Sequence, residues 1–503
     1  MTQRLLLAVI LCARVAHAAP TTPAVMPATP EAWRQAALAD IAEAYQITLD
    51  NHAGTYDPYN PGFIEQLNQA KQHSLALANR VQNGAGYEAV LQDFTAGIHD
   101  GHAGVIAQLP DASLPAERWP GFVTVWRQHS LYIYAALPDG PPQGAQVISC
   151  DGAPINDVIR SNVFAFKGKV EDAGDWWSLA RLVFVDDGNP FIKLPSTCVF
   201  VTGGVETARV LHWTVSTKQT QRWRDDSYNG DVLPTGLSEP AIGLYWAAMP
   251  TFTPNEQERD AYRSMTREVH TNRQRYLDAR AIVVDLRDNM GGASAWSLAF
   301  ASALWGEARV RSVNDALDGK TQVWWRASAP NTAYMAKLAD TLAAHNQDAE
   351  SVRAKRTGAA MQTALDNGQR YYIEKTEPAP QEAWTPGADI KLPAYTKPVY
   401  VIMPGQCVSA CLDAVDVFSR FANTTLIGAP TGSDSNYMEV RHQTLSSGRA
   451  FVIVPIKVYR NRTRGGGQIY KPAIYVTDVN WSTQNFLGVI EQDLARTVHT
   501  SNN

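Results

Sequence analysis

VVDLRDNMGG, residues 283–292, runs from a hydrophobic strand into a charged turn carrying two glycines, and a helical pattern follows it. Gly291 and Gly292 let backbone N–H groups approach a ligand closely, which an oxyanion-binding turn requires. Taken alone, the stretch is only a strand-to-helix turn. VYVIMPGQCVSACLDAVDVF, residues 399–418, repeats the pattern: a buried strand, a Gly turn, a helix. Ser409 stands at the start of that helix between small residues. It reads either as an N-cap or as a nucleophile at a helix N-terminus, where free N–H groups and the helix dipole favour a developing oxyanion. Ligands of open α/β sheets bind beyond the strand ends. Two such turns on one sheet therefore say more than either alone: one offers a nucleophile with its own N–H neighbour, the other a second donor.

Around these stretches, strands and helices alternate from about Ile242 onward. The helical NEQERDAYRSMTREVHTNRQRYLD leads into AIVVDL, ASAWSLAFASALW follows the first turn, and SACLDAVDVFSRF leads to TTLIGAP. The hairpin-like EVRHQTLSSGRAFVIVPIKVYRNR comes after. This alternation predicts an α/β domain over 235–503, with a helical, polar insertion at 312–390. Upstream, 31–112 reads as a small helical domain rich in Ala, Gln and Leu. Residues 113–225 carry short β-like runs (FVTVW, LYIYAAL, AQVISCDG, CVFVTGG, ARVLHWTV) between Gly, Pro and Asp turns. PDGPPQGAQVISCDGAPINDVI within that part resembles the core of a PDZ domain, a module that binds extended peptides by strand addition. A plain β domain fits those runs equally well.

The chain has 503 residues, 45% hydrophobic and 18% charged, with a formal net charge of -5. That is too long for one core, folded in composition, and without the basic excess that nucleic acid or an anionic membrane calls for. No stretch reaches the length of a membrane-spanning helix. Arg4, the apolar run Leu5 to Leu11 and Ala16-His17-Ala18 read as a signal peptide over 1–18, followed by a Pro/Thr-rich disordered linker over 19–30. The chain is thus expected in the periplasm or outside the cell. A lipid anchor at Cys12 is the weaker alternative, because Leu11 precedes it where a small residue is wanted. Four cysteines then remain. Cys150 with Cys198 is the preferred disulfide, both falling in the β part; Cys407 and Cys411 either bridge locally or stay thiols. Without clustered His or a second Cys pair nearby, no metal site is expected.

D-L-R-D-N-M-G-G, then C-V-S-A-C, then L-I-G-A-P-T-G, in that order and after a PDZ-like segment, resembles the tail-specific (carboxyl-terminal processing) serine peptidase family. The resemblance spans roughly Ile98 to Val476. It implies a crotonase-like sheet-and-helix core with no metal or organic cofactor, acting on peptide or protein substrates. Ser409 takes the nucleophile position, and the N–H groups of Gly291 and Ala410 take the oxyanion hole. One departure matters. Most tail-specific members pair the serine with a lysine just after G-x-P-T, and Asp434 occupies that place here. The tricorn-type branch uses a histidine instead, and HDGHAGV at 99–105 resembles its D-x-H signature. That puts His102 in the role of base, with His99 as fallback. An imidazole of ordinary pKa, about 6.5, is neutral at pH 7 and able to accept the serine proton. The branch's late glutamate has no counterpart in RNRTRGGGQIYKPAIYV. Gln468 stands about where it would be, and an amide oxygen can accept from imidazole N–H. Glu439, Asp434 and Asp100 are further candidates for this orienting role.

The expected activity is therefore that of an exported serine endopeptidase. The rival is a catalytically inactive, peptide-binding relative, motivated by the missing lysine and carboxylate. A crotonase-like acyl-CoA enzyme is a third reading, disfavoured by export. Arg460, Arg462 and Arg464 read as a solvated strand end or as a site for a substrate carboxylate.

Overall fold

The computed structural model describes residues 26–345, 347–374 and 393–501, with side chains to 496. The expected signal peptide with Cys12, most of the expected linker and the end of the expected insertion lie outside these residues. The described part is a mixed α/β fold.

Its centre is a six-stranded sheet in the order Gly236–Ala241, Leu244–Ala248, Ala281–Asp285, Val399–Met403, Thr424–Gly428, Ile474–Tyr475. The first pair is antiparallel and the rest are parallel. Strands Leu244–Ala248, Ala281–Asp285 and Val399–Met403 are buried along their whole length, as a parallel sheet covered on both faces demands. Alternation sorts their side chains into two cores. Trp246, Val283, Tyr400 and Ile402 face a cluster with Trp177, Trp481 and Phe486. Ala247, Val284, Val401 and Met403 face one with Met265, Phe300, Leu412 and Val415. Because Ala281–Asp285 and Val399–Met403 are parallel neighbours, with Asp285 opposite Ile402, both glycine turns leave the same edge of the sheet.

A second, antiparallel sheet runs Gly104–Ala107, Ala450–Arg460, Gln322–Arg326, Tyr371–Glu374, and Tyr437–Thr444 also pairs with Ala450–Arg460. Its buried face (Trp325, Val452, Val454, Ile456) shares one core with Ile41, Leu67 and Phe94 of the helices Pro30–Asn51, Phe63–Ala78 and Gly84–Ile98. Met335 and Met361, from the helices Ala329–Ala344 and Asp348–Asp366, join it. The helical part expected over 31–112 and the insertion expected over 312–390 thus bury their apolar stripes on the same sheet. The insertion also supplies two strands, QVWWR and YYIE, which its polar helical surroundings conceal in the sequence.

The β runs of 113–225 form an antiparallel sheet in the order Phe122–Arg127, Ser130–Ala136, Gln146–Cys150, Thr197–Thr202, Val205–Val210. Cys150 and Cys198 are register partners and form a disulfide, Cα–Cα 4.0 Å. Cys407 and Cys411 form a second, joining the loop before Ser409 to the first turn of the helix Ala410–Ser419. No helix among the described residues is long and apolar enough to cross a membrane.

Arg287 ties the first glycine turn to the C-terminal helix. Its Nη2 donates to Asp285 Oδ2 at 2.7 Å and to Thr483 Oγ1 at 2.8 Å, and its Nη1 donates to the Trp481 carbonyl at 2.8 Å. Both partners of the Asp285–Arg287 pair are fully buried. Removing one leaves the other as an uncompensated charge. Arg287→Ala should therefore lower the unfolding free energy by about 3–5 kcal/mol. Chemical denaturation measures this, and a loss under about 1 kcal/mol, the scale of a surface pair, would refute it.

Candidate active site

Ser409 occupies the N-cap position of Ala410–Ser419, but its side chain makes no capping hydrogen bond. Its backbone is in the left-handed region, φ 55° and ψ -128°, a conformation that costs a non-glycine residue about 1–3 kcal/mol and persists only where the surroundings enforce it. The Cys407–Cys411 bridge flanks it on both sides. The Ser409 N–H donates to Asp434 Oδ2 at 2.8 Å.

Gly291 packs directly on this turn. A Cβ added there would lie 2.8 Å from Ser409 Cβ and 3.1 Å from the Ala410 nitrogen, and its φ is 104°. Any side chain would collide with Ser409. Both expected oxyanion residues therefore stand beside Ser409. The Gly291 N–H, however, donates to Asn289 Oδ1 at 2.9 Å within its own turn, while Asn289 Nδ2 donates to the Met249 carbonyl at 2.8 Å.

His102 reaches the same place from far upstream. The helix Gly84–Ile98 ends on His99, also left-handed at φ 56°. The chain turns through Asp100 and Gly101, and Gly104 enters the second sheet opposite Ile453. That pairing lays the 99–103 turn beside the loop that precedes Tyr437–Thr444. His102 is 2% exposed, and neither ring nitrogen has a hydrogen-bond partner among the described residues. Two carboxylates lie on its Nδ1 side: Asp434 Oδ1 at 3.7 Å and Asp100 Oδ1 at 4.0 Å. Asp434 thus holds the Ser409 backbone with one oxygen and faces the His102 ring with the other. His99 is exposed and does not share this arrangement.

Gln468 is not brought to His102. It is exposed, and its amide oxygen accepts from the Gly465 N–H at 3.1 Å within a tight turn. Glu439 pairs with Lys457 at 3.4 Å. The arginine run is no solvated strand end. Arg460 pairs with Asp57, and Arg462 with Asp413 and Asp416. Arg464 is buried; its Nε meets Asp416 at 3.0 Å, its Nη2 Asp413 at 2.7 Å and its Nη1 Asp434 at 3.5 Å. Burial works against the Arg464 charge, and Asp416, Asp413 and Asp434 outweigh it, so its pKa is raised. Burial likewise pushes the Asp413 carboxyl up, and Arg462 and Arg464 outweigh it, leaving it below the usual carboxylate range. No group of His, Cys, Asp or Glu among the described residues is arranged to hold a metal ion.

The β part closes on these loops through glycines. A Cβ at Gly174 would lie 2.3 Å from both the Gly405 carbonyl oxygen and the Gly432 nitrogen. Asp172 Oδ2 accepts from the Ser433 N–H at 2.7 Å, next to Asp434. Behind it, Asp175 accepts from the Lys169 N–H at 2.7 Å. Burial, then the Asp172 charge, push the Asp175 pKa up to about 7. A carboxyl whose folded pKa exceeds its unfolded value stabilises below the unfolded value and loses that contribution as pH rises through the folded one. Asp175→Asn, which keeps an acceptor for Lys169, should therefore raise the thermal midpoint at about pH 8 and change it least at or below about pH 4. Equal midpoint changes at both would contradict this.

Residues 248–475 match the family model for peptidase family S41. No match is found among curated proteins. Among solved structures, the chain is similar to mature CPAF complexed with lactacystin, at 14% identity and TM-score 0.57, covering 92% of this chain and 97% of that one. It is similar also to mature CPAF, at 13% identity and TM-score 0.56, covering 88% and 92%. At such identities the likeness is one of fold. His102 lies outside the matched residues, whereas Gly291, Ser409, Asp434 and Gln468 lie within them. Residues 248–475 of this chain, which carry both glycine turns, are a peptidase family S41 domain.

Proposed function

We propose that the protein is an exported serine endopeptidase that cleaves peptide bonds through a Ser409 acyl-enzyme, with His102 as general base. The observation that carries this reading is the single buried carboxylate of Asp434, in contact with both the Ser409 N–H and the His102 Nδ1 side. Residues 307 positions apart in the chain (409 minus 102) share one neighbour. The left-handed Ser409, its hydroxyl not engaged as a cap, supports a nucleophile over a helix-capping role. The leader-like first 18 residues and the two disulfides support export.

In this scheme Ser409 Oγ attacks the substrate carbonyl carbon as His102 takes the hydroxyl proton. With both carboxylates on the Nδ1 side, Nε2 is the nitrogen that receives it. The C–N bond then breaks and His102 returns the proton to the leaving amine. Water, deprotonated by the same ring, adds to the acyl carbon, the C–Oγ bond to Ser409 breaks, and His102 returns the proton to Oγ as the acid leaves. Asp434, in place of Gln468, orients the ring and steadies the imidazolium. The 3.7 Å separation is the loosened geometry of a resting site. The Ala410 N–H receives the oxyanion, joined by the Gly291 N–H once that group exchanges its bond to Asn289 for the substrate oxygen.

One observation favours the rival, an inactive peptide-binding protein: the Gly291 N–H is engaged by Asn289. Labelling with a serine-directed fluorophosphonate separates the two. Wild type should be labelled and Ser409→Ala should not. His102→Ala should label at least about 100-fold more slowly, the usual contribution of a general base. A folded wild type that resists labelling would establish the inactive reading.

The orienting group has its own test. Asp434→Asn keeps an acceptor for the Ser409 N–H but loses the charge, and labelling should slow by about tenfold or more, whereas Gln468→Ala should label within about threefold of wild type. The reverse ranking would return the orienting role to Gln468.

A further inference from the structure

Behind the turn that carries His102 lies a second histidine, with no part in the scheme above. His52 follows the last residue of the helix Pro30–Asn51 and is wholly buried, stacked on Phe63 and edge-on to Tyr437. The Gly54 N–H donates to His52 Nδ1 at 2.8 Å. That nitrogen is therefore the acceptor, Nε2 carries the proton, and Nε2 donates to Asp100 Oδ2 at 2.9 Å. The other oxygen of Asp100 accepts from the His102 N–H at 3.0 Å and from the Ser435 hydroxyl at 2.7 Å. Asp100 thus joins the backbone of His102 to the residue that follows Asp434, while its Oδ1 stands 4.0 Å from His102 Nδ1.

We propose that His52 and Asp100 are positioning residues for His102: His52 holds Asp100 ionised and turned, and Asp100 fixes the backbone of the His102 turn and sets a negative charge beside its ring. This rests on the reading of Ser409 and His102 as nucleophile and base. Burial acts on Asp100 to raise its pKa, and the hydrogen bond from His52, the electrostatic influence of the two imidazoles and the hydrogen bond from the His102 backbone outweigh it, so the carboxyl lies below the usual range. Without the His52 donor, one of the bonds that offset burial is lost, and the Asp100 carboxyl is pushed back up. Among the described residues, the charged and titratable groups facing His102 are Asp100 from its own turn and Asp434 from the loop before Tyr437. Arg464 stands behind Asp434, and His52 and Tyr437 stand behind Asp100.

The test is the pH profile of fluorophosphonate labelling of the mature, full-length chain. Asp100→Asn keeps the acceptor for the His102 N–H but removes the charge and, with it, the acceptor for the His52 Nε2–H. A negative charge beside the ring favours the imidazolium, so its loss should slow labelling about tenfold at neutral pH and move the acid limb down by about one pH unit. His52→Phe, which fills the space without a donor, should move both readouts the same way, and His52→Gln, which restores an amide donor, should return labelling to within about threefold of wild type. A mere packing role for His52 would change stability without moving the acid limb, and would leave Gln no better than Phe. If both Asp100→Asn and His52→Phe label at wild-type rates with an unmoved acid limb, the inference is overturned while the Ser409 reading stands. A shift in Asp100→Asn alone overturns the part assigned to His52. An unlabelled wild type removes the underlying reading and this one with it.

Discussion

A carboxylate with almost no exposure holds the centre of this molecule. Asp434 is 3% exposed, and a charge so placed survives only where hydrogen bonds and opposite charge replace its lost water. The Ser409 N–H supplies a hydrogen bond, and Arg464 and the His102 ring supply the neighbouring positive or protonatable groups. Arg464 is itself buried and is held by Asp413 and Asp416, both on the helix that Ser409 begins. The helix Ala410–Ser419, the loop after the strand Thr424–Gly428 and the turn at 464 are thus one electrostatic unit.

Close backbone approach is the second constraint. Three segments meet at Gly174, Gly405 and Gly432 with no room for a single Cβ. Through this contact and the Asp172–Ser433 hydrogen bond, the β part of 113–225 bears on the two loops that shape the site. The glycines in GQCVSAC and GAPTG therefore serve more than their own turns. They let a separate stretch of chain lie against the loop that carries Ser409.

The central sheet was legible because its strands are buried on both faces, and continuous apolar runs such as AIVVD and VYVIM have few other uses. Ser409 and Gly291 were legible because each sits where such a run breaks into a Gly turn. His102 depended on the D-x-H resemblance, since no local pattern says which distant sheet a turn will join. The strands QVWWR and YYIE lay hidden among helices, although their aromatic and β-branched content was the available signal. Arg464 read as one more surface cation because its partners, Asp413 and Asp416, stand about fifty residues away on a helix face. Gln468 matched by position along the chain, but a Gly-rich turn folds back on itself, and the side chain at its end bonds its own loop. His52 gave no signal at all. A lone histidine at a helix end is usually solvated, and only the tertiary fold buries it against Asp100.

The departure from the family's lysine becomes coherent when these charges are taken together. A lysine at position 434 would stand beside buried Arg464 and the His102 ring, and could not accept the Ser409 N–H. Like charges would face each other in a region of little water, where such repulsion is strong. Conversely, an aspartate at 434 without Arg464 would leave a buried anion poorly compensated, and without a histidine nearby it would offer the hydroxyl no base. In the proposed scheme, Asp434, Arg464 and His102 are therefore one substitution made in three places. The absence of the lysine then argues for a different proton acceptor, one that the second sheet delivers from the other end of the chain.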